Sequence, residues 1–448
     1  MQYGIGLIGR SSRTLTAKEL ATQMGVPAVF FDSTKAIPAL PAYVLSHPRE
    51  RTLLPQGART LDIPADDLFS RGERTAHAIT LPSGDARGVV RCRPEKFAAA
   101  LSLFGMEVQK ALKHAGLPLL TLSPFPHGAK SLLSFRVDAD WYDANEWKKT
   151  ADLLSPLGAS VSFFVTCADI PPAGWNFLST LSKQGIEIGS HGFRHYTFVD
   201  RKNTEKNLER ARSALSSHGL PPRAFASPSA KWNLALQDVI DAGGYTYSSE
   251  FCLAHDTYPF HAVLSGKSAG ALQVPVHPVA PSSFLRRGIT DSAVIREYYA
   301  SIADALLRAN LPLFFYGHPN DLAACPWLPA FLKELMTKEG VRPCSLGEYA
   351  AWWTLREKSL NAPWEISGGN VQKPEVDSSL SFREYVPHEA LPFASYEGPS
   401  LRRLPPPRSL RYRIGTWLDY ERIVPSAEYA VSSAKTLLNY LVKKMRGL

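Results

Sequence analysis

The chain has 448 residues, 45% hydrophobic, 20% charged and 10% aromatic, a length that suggests two or three domains at roughly 150 residues each. Its apolar runs, such as PAVFF and PLFFYG, are short and broken by Pro, Gly or charge, far below the roughly 20 residues of a spanning helix, which excludes an integral helical membrane protein. The formal charge of +9 sits mostly at one end, with ten Lys/Arg against three Asp/Glu in 401–448 and only +2 over the first 400 residues; this argues for local attraction to an anionic surface and against a nucleic-acid partner.

The opening, MQYGIGLIGRSSRTLT, has no basic stretch followed by an apolar one, so it does not read as a secretory signal and cytoplasmic residence is the expectation. Residues 1–128 read as a small α/β module. Short apolar runs (GIGLIG, PAVFF) alternate with a helix signal in TAKELATQMG, and a longer helical pattern runs from Pro94 to His114, with Gly116 just beyond it. Gly4, Gly6 and Gly9 form a G-x-G-x-x-G pattern, which cradles a dinucleotide pyrophosphate only if it follows a strand and opens a helix. Three residues precede it, so no full strand fits, and no nucleotide cofactor is expected. Five cysteines (Cys92, Cys167, Cys252, Cys325, Cys344) lie at wide, irregular spacings, which indicates neither a disulfide framework nor a thiolate zinc site.

From 129 to 357 the chain repeats a strand-then-helix rhythm. SLLSFRVDAD precedes DANEWKKTADLLSPLG, ASVSFFVT precedes GWNFLSTLSKQG, IEIGSH precedes NTEKNLERARSALSSHG, and LPLFFYGHP precedes WLPAFLKELMTKEG. Strands separated by helices point to parallel βα units. About seven units fit, and the expected fold is α/β, a distorted (β/α) barrel whose active site lies at the C-terminal ends of the strands. The last segment, 358–448, reads as a β-rich appendage (WEISG, LSFREYV) followed by a basic amphipathic helix. That helix places Ala430, Ala434, Leu437, Leu438, Leu441 and Met445 on one face and Lys443, Lys444 and Arg446 at its tip. Docking on its own protein and lying on an anionic membrane surface are both open to it.

Three places in the barrel region put acids and histidines just past an apolar strand. Asp138 and Asp140 are two apart, so on an extended strand both carboxylates face one way. His191 and His195 in EIGSHGFRH are four apart, either on adjacent turns of a helix or within one loop. His318 follows the strand in PLFFYGHP. One Asp oxygen and two His nitrogens make a catalytic zinc set that leaves a coordination position for water. Each feature has an ordinary structural explanation, and their coincidence at strand ends is what points to chemistry.

In this order the segment resembles the polysaccharide deacetylase family, the NodB-homology domain of carbohydrate esterase family four. The resemblance implies a general base at Asp138, divalent metal ligands at Asp140, His191 and His195 with zinc as the expected ion, and a general acid at His318. ASVSFFVT and EYAAWW also resemble the family's second strand and domain end. Two features depart from the pattern. Ala139 separates the two acids that the family places side by side, so base and ligand roles could be exchanged. Ala226 in FASPSAKWN stands where the family carries the arginine that orients the base, and Arg136 is a candidate replacement. Ser229, Trp232, Glu250 and Asp256 are candidate pocket residues, with a backbone N–H near Ser229 as an oxyanion donor.

The resemblance thus implies a hydrolase acting on a carbon–nitrogen bond, removing an acyl group from an amino sugar in surface polysaccharide or lipopolysaccharide assembly. A lipid-linked or nucleotide-linked sugar would be met in the cytoplasm, with the basic tail at the inner membrane face. The alternatives are a sugar-binding or assembly protein that keeps the barrel without the hydrolysis, and a hydrolase of a small non-peptide C–N bond.

Overall fold

The computed structural model describes residues 2–32, 37–63, 68–69, 75–80, 86–92, 97–250, 257–264, 266–285, 290–368, 370–372 and 374–384. The expected C-terminal amphipathic helix and Asp256 lie outside the described residues.

The N-terminal region opens on β1 (Ile5–Ile8), α1 (Ser12–Met24), β2 (Ala28–Phe31) and β3 (Ala42–Leu45). The three strands pair in parallel with β1 in the middle. Helix α1 starts where Ser11 and Thr14 satisfy each other's backbone N–H groups, a capping box. Strand β1 runs through the G-x-G-x-x-G pattern instead of ending before it, with Gly6 inside the strand and Gly9 just beyond its end. Gly6 lets the Tyr43 ring lie against the strand, since a Cβ there would meet that ring at 2.4 Å. A hairpin of β4 (Thr75–Thr80) and β5 (Ala86–Cys92) and helix α2 (Phe97–His114) complete this region. The described part of the longer helix runs from Phe97 to His114 as the sequence pattern suggests, and its expected start at Pro94 lies outside the described residues.

The barrel strands are β6 (Ser131–Ala139), β7 (Val161–Val165), β8 (Glu187–Ser190), β9 (Ala224–Phe225), β10 (Tyr247–Ser248), β11 (Phe260–Leu264), β12 (Lys267–Gln273), β13 (Leu313–Gly317) and β14 (Val341–Pro343). Their order is β11-β12-β10-β9-β8-β7-β6-β13, with β14 on β6. From β12 to β13 every neighbouring pair is parallel, seven strands in all beside the roughly seven βα units expected from the sequence; β14 pairs in parallel with β6 as an eighth, and β11 adds an antiparallel edge. Strands β6, β7 and β13 are buried at every position, as strands covered on both faces must be. The sheet curls: His277 N–H donates to the Phe314 carbonyl at 2.8 Å, bringing the chain just after β12 alongside β13. The architecture is a distorted (β/α) barrel of the α/β class.

The helices around it are α3 (Ala144–Leu154), α4 (Pro172–Lys183), α5 (Arg201–Ser217), α6 (Leu234–Ala242), α7 (Ser292–Arg308), α8 (Pro319–Ala324), α9 (Leu328–Met336) and α10 (Leu346–Ser359). Asp143 caps α3 by accepting from the Asn145 and Glu146 N–H groups. Asp138 and Asp140 are thereby left free of that structural duty.

One hydrophobic cluster runs from Tyr3 to Leu380 and joins the N-terminal region to the barrel. At the junction the fully buried Arg356 of α10 donates to the carbonyls of Thr22, Gln23, Leu122 and Ser123. Beyond α10 the extended pieces return to the N-terminal region. Trp364–Ser367 pairs with Gln2–Tyr3, Trp364 stacks on Tyr3 at 5.3 Å between centroids, and Phe382–Glu384 pairs with Leu120–Leu122. Among the described residues no helix is long and apolar enough to cross a membrane, and Cys167, Cys325 and Cys344 are free thiols.

Candidate metal and catalytic site

The strand ends converge. Asp140 follows β6 directly and His191 follows β8, two strands whose ends are separated only by β7. Asp140 Oδ1 lies 3.3 Å from His191 Nε2 and 3.1 Å from His195 Nε2. One ligand atom from each of the three residues falls within 4.8 Å of the other two. The two histidines share a loop, not a helix, with ring centroids 5.0 Å apart.

The donor chemistry of this cluster fits a cation. His191 Nδ1 donates to the Ala226 carbonyl at 2.7 Å, and since a carbonyl can only accept, Nδ1 carries the proton. In the neutral ring Nε2 then presents a lone pair toward a carboxylate oxygen. Two acceptors facing one another need a proton or a metal between them. The carbonyl partner also fixes tautomer and ring direction, as metal-binding histidines require. Burial pushes the Asp140 carboxyl up, but the charge of His195 and the contacts from both imidazoles outweigh it and hold Asp140 well below the usual carboxylate range.

Asp138 is one full strand period before Asp140 and is 4% exposed. Arg136, one period earlier and on the same face of β6, meets it with a planar fork: Nη2 donates to Oδ2 at 2.8 Å and Nε lies 2.8 Å from Oδ1. The other end of the guanidinium is held by the carbonyl and hydroxyl of Ser249, just past β10. A buried carboxylate without such a partner would be costly, and the fork leaves each oxygen a second lone pair.

His318 caps α8 just after β13. Asp321, fully buried three residues on, accepts from its backbone N–H at 2.9 Å and lies 2.7 Å from its Nδ1. Burial lowers the affinity of His318 for a proton, but the hydrogen bond it donates to Asp321 and the charges of Asp140, Asp321 and Asp138 raise it above the ordinary value. Asp321 was not singled out from the sequence. The pattern H-P-N-D carried the signal, Pro at the first helical turn and an acid at the third position of a capping box.

A family model described as "Polysaccharide deacetylase" matches residues 128–248, the stretch that contains Arg136, Asp138, Asp140, His191 and His195. Residues 128–248 belong to the polysaccharide deacetylase family. No curated protein matches the chain. Solved structures similar to it include a polysaccharide deacetylase, so described, from Mycobacterium smegmatis (17% identity, 56% of this chain and 97% of that one, TM-score 0.44). Two others are the family 4 acetyl xylan esterase of Clostridium thermocellum (12%, 50% and 91%, TM-score 0.35) and the chitin deacetylase of Colletotrichum lindemuthianum (13%, 50% and 89%, TM-score 0.37).

Three further candidate pocket residues, Ser229, Trp232 and Glu250, lie among the described residues. Ser229 is exposed, in a turn whose two residues Ser229 and Ala230 take left-handed φ of 57° and 49° beside the carbonyl that orients His191. Such backbone is costly for side-chain-bearing residues and concentrates at functional sites. Trp232 is half-buried and donates to Gln237 Oε1 at 3.0 Å. Glu250 is fully buried; Oε1 accepts from Ser227 N–H at 3.1 Å and Oε2 from the Ser248 hydroxyl at 2.5 Å. Burial pushes its carboxyl up to about 7 against the opposing pull of Ser248 and Arg136. Glu250 thus stands behind the turn that carries Ser229.

The barrel also holds its histidine loop with a residue that the sequence pattern did not reveal. Asn207 of α5, almost fully buried, bonds the backbone of Phe193, Arg194 and Tyr196.

Proposed function

We propose that residues 129–357 form the catalytic unit of a metal-dependent deacetylase, with 1–128 seated on it and 358–448 as a following segment. The observation that carries this reading is the convergence of Asp140, His191 and His195 within 4.8 Å while Asp138 and His318 stand at neighbouring strand ends. Asp140 and the two Nε2 atoms would hold a divalent ion, zinc by the nature of the donor set. Such an ion supplies polarisation of a water and of an acyl carbonyl. Asp138, held in one orientation by Arg136, takes the proton of the attacking water as general base. A backbone N–H of the Ser229 turn donates to the oxygen that gains charge. His318, its proton retained through Asp321, passes that proton to the departing amine, which is a poor leaving group without it.

The substrate class is an N-acylated amino sugar or glycan. The basic 401–448 segment supports a lipid-linked or nucleotide-linked form presented near an anionic surface, the setting of envelope polysaccharide assembly. The test is acetate release from N-acetylated sugar oligomers and nucleotide-linked N-acetyl sugars by wild type, Asp138→Asn and His318→Ala. Wild type releases acetate, and each variant loses turnover by roughly 100-fold or more. Metal-loaded wild type that releases acyl groups from none of these substrates would contradict the reading and favour a sugar-binding role for the barrel.

A further inference from the structure

The two histidines of the proposed metal set are held by different means. His191 continues β8: its N–H donates to the Val165 carbonyl at 2.8 Å, and its ring is fixed by Ala226. His195 lies four residues into a loop. What brackets it is one side chain. Asn207 Oδ1 accepts from Arg194 N–H at 2.8 Å, and Nδ2 lies 3.2 Å from both the Arg194 and Tyr196 carbonyls, the residues on either side of His195. The Asn207 carbonyl also accepts from Phe193 N–H at 3.3 Å, and one turn further along α5 the Arg210 guanidinium covers the Phe193 ring at 3.8 Å.

The loop sequence is matched to this clamp. Gly192 takes a left-handed φ of 89°, and a Cβ there would approach Asn207 Nδ2 to 2.9 Å and the Arg194 carbonyl to 3.0 Å. Only glycine meets both demands, the backbone conformation and the space for the amide.

We propose that Asn207 is the positioning residue of His195, and that α5 is the template that converts a four-residue histidine spacing in a loop into a metal-binding geometry. The inference rests on the metal reading above and deepens it. The Asn207 side chain bonds the backbone on both sides of His195, so its effect on metal binding runs chiefly through that residue. A residue that orients a metal ligand in this way is worth roughly 10–100-fold in metal affinity.

The test is competition for Zn2+ between a chromophoric chelator and metal-stripped full-length protein: wild type, Asn207→Ala, His195→Ala and the double variant. The expected result is a 10–100-fold weaker Zn2+ affinity for Asn207→Ala. The double variant should be no weaker than His195→Ala, because a residue that acts through His195 has nothing left to act on. Asn207→Ala binding within twofold of wild type, or losses that simply add in the double variant, would overturn the inference while leaving the metal site standing. Wild type that binds no Zn2+ would overturn the metal reading itself, and this inference with it. Asn207→Asp, which keeps the acceptor for Arg194 N–H and loses both amide donors, carries the same comparison should the alanine variant not fold.

Discussion

His318 and Asp321 form a pair whose chemistry can be read from their surroundings. Asp321 is sealed from solvent, while the His318 ring is partly open, with 16% of its side chain exposed. The carboxylate favours the protonated imidazole, and that preference outweighs the burial that opposes it. With His318 as the proton donor, activity needs the charged form, so the alkaline limb of kcat lies above the ordinary histidine value of about 6.5. Asp321→Asn removes the largest contribution that raises this value and leaves burial to lower it. The limb should move to lower pH in kcat profiles of the variant, while zinc content is unchanged. A limb at the wild-type position would show that His318 is not the titrating acid. The residues of the proposed site were legible in the sequence because a strand period or a strand end places them. Asp321, Ser249 and Asn207 were not, since their roles arise from contacts. The nearest backbone partners of the Asn207 amide are 11 and 13 residues away, and nothing in NTEKNLERARS distinguishes that asparagine from a solvated helix residue.

Helix α10 shows the same contrast at the scale of elements. Its helical pattern and its Ser345/Glu348 capping box are local, and the sequence around EYAAWW resembles the end of a deacetylase domain. What the helix does for the fold is not local. Arg356 reaches four carbonyls in two segments of the N-terminal region more than 230 residues earlier, and it is fully enclosed. Burial lowers its pKa to about 10, which still leaves it charged at neutral pH. Replacing it with methionine keeps the volume and strands those carbonyls, so Arg356→Met should cost about 3 kcal/mol or more of stability. Urea unfolding of wild type and variant measures this directly; a loss below 1 kcal/mol would mean that water or neighbouring groups reach the carbonyls and that the arginine is not the joint. The expected separation of 1–128 from the barrel reflects the change in sequence texture, but the apolar cluster runs unbroken across that boundary.

On the scale of the molecule, a curled, mostly parallel nine-stranded sheet gathers the ends of β6, β8 and β13 and the residues of the proposed site that sit on them. The strand-then-helix rhythm made this architecture legible, because periodicity is set locally by which face each residue buries. The hairpin of β11 and β12 and the return of Trp364–Ser367 onto Gln2–Tyr3 were not legible, since strand pairing over such separations leaves no periodic trace. The account stands on one claim, that Asp140, His191 and His195 hold a metal ion. Elemental analysis of wild type and of the His191→Ala/His195→Ala variant, both purified without added metal and then supplied with divalent ions, tests it most directly. The account predicts a near-stoichiometric divalent ion, zinc foremost, in wild type and its loss in the variant; wild type that stays metal-free after divalent ions are supplied would contradict it.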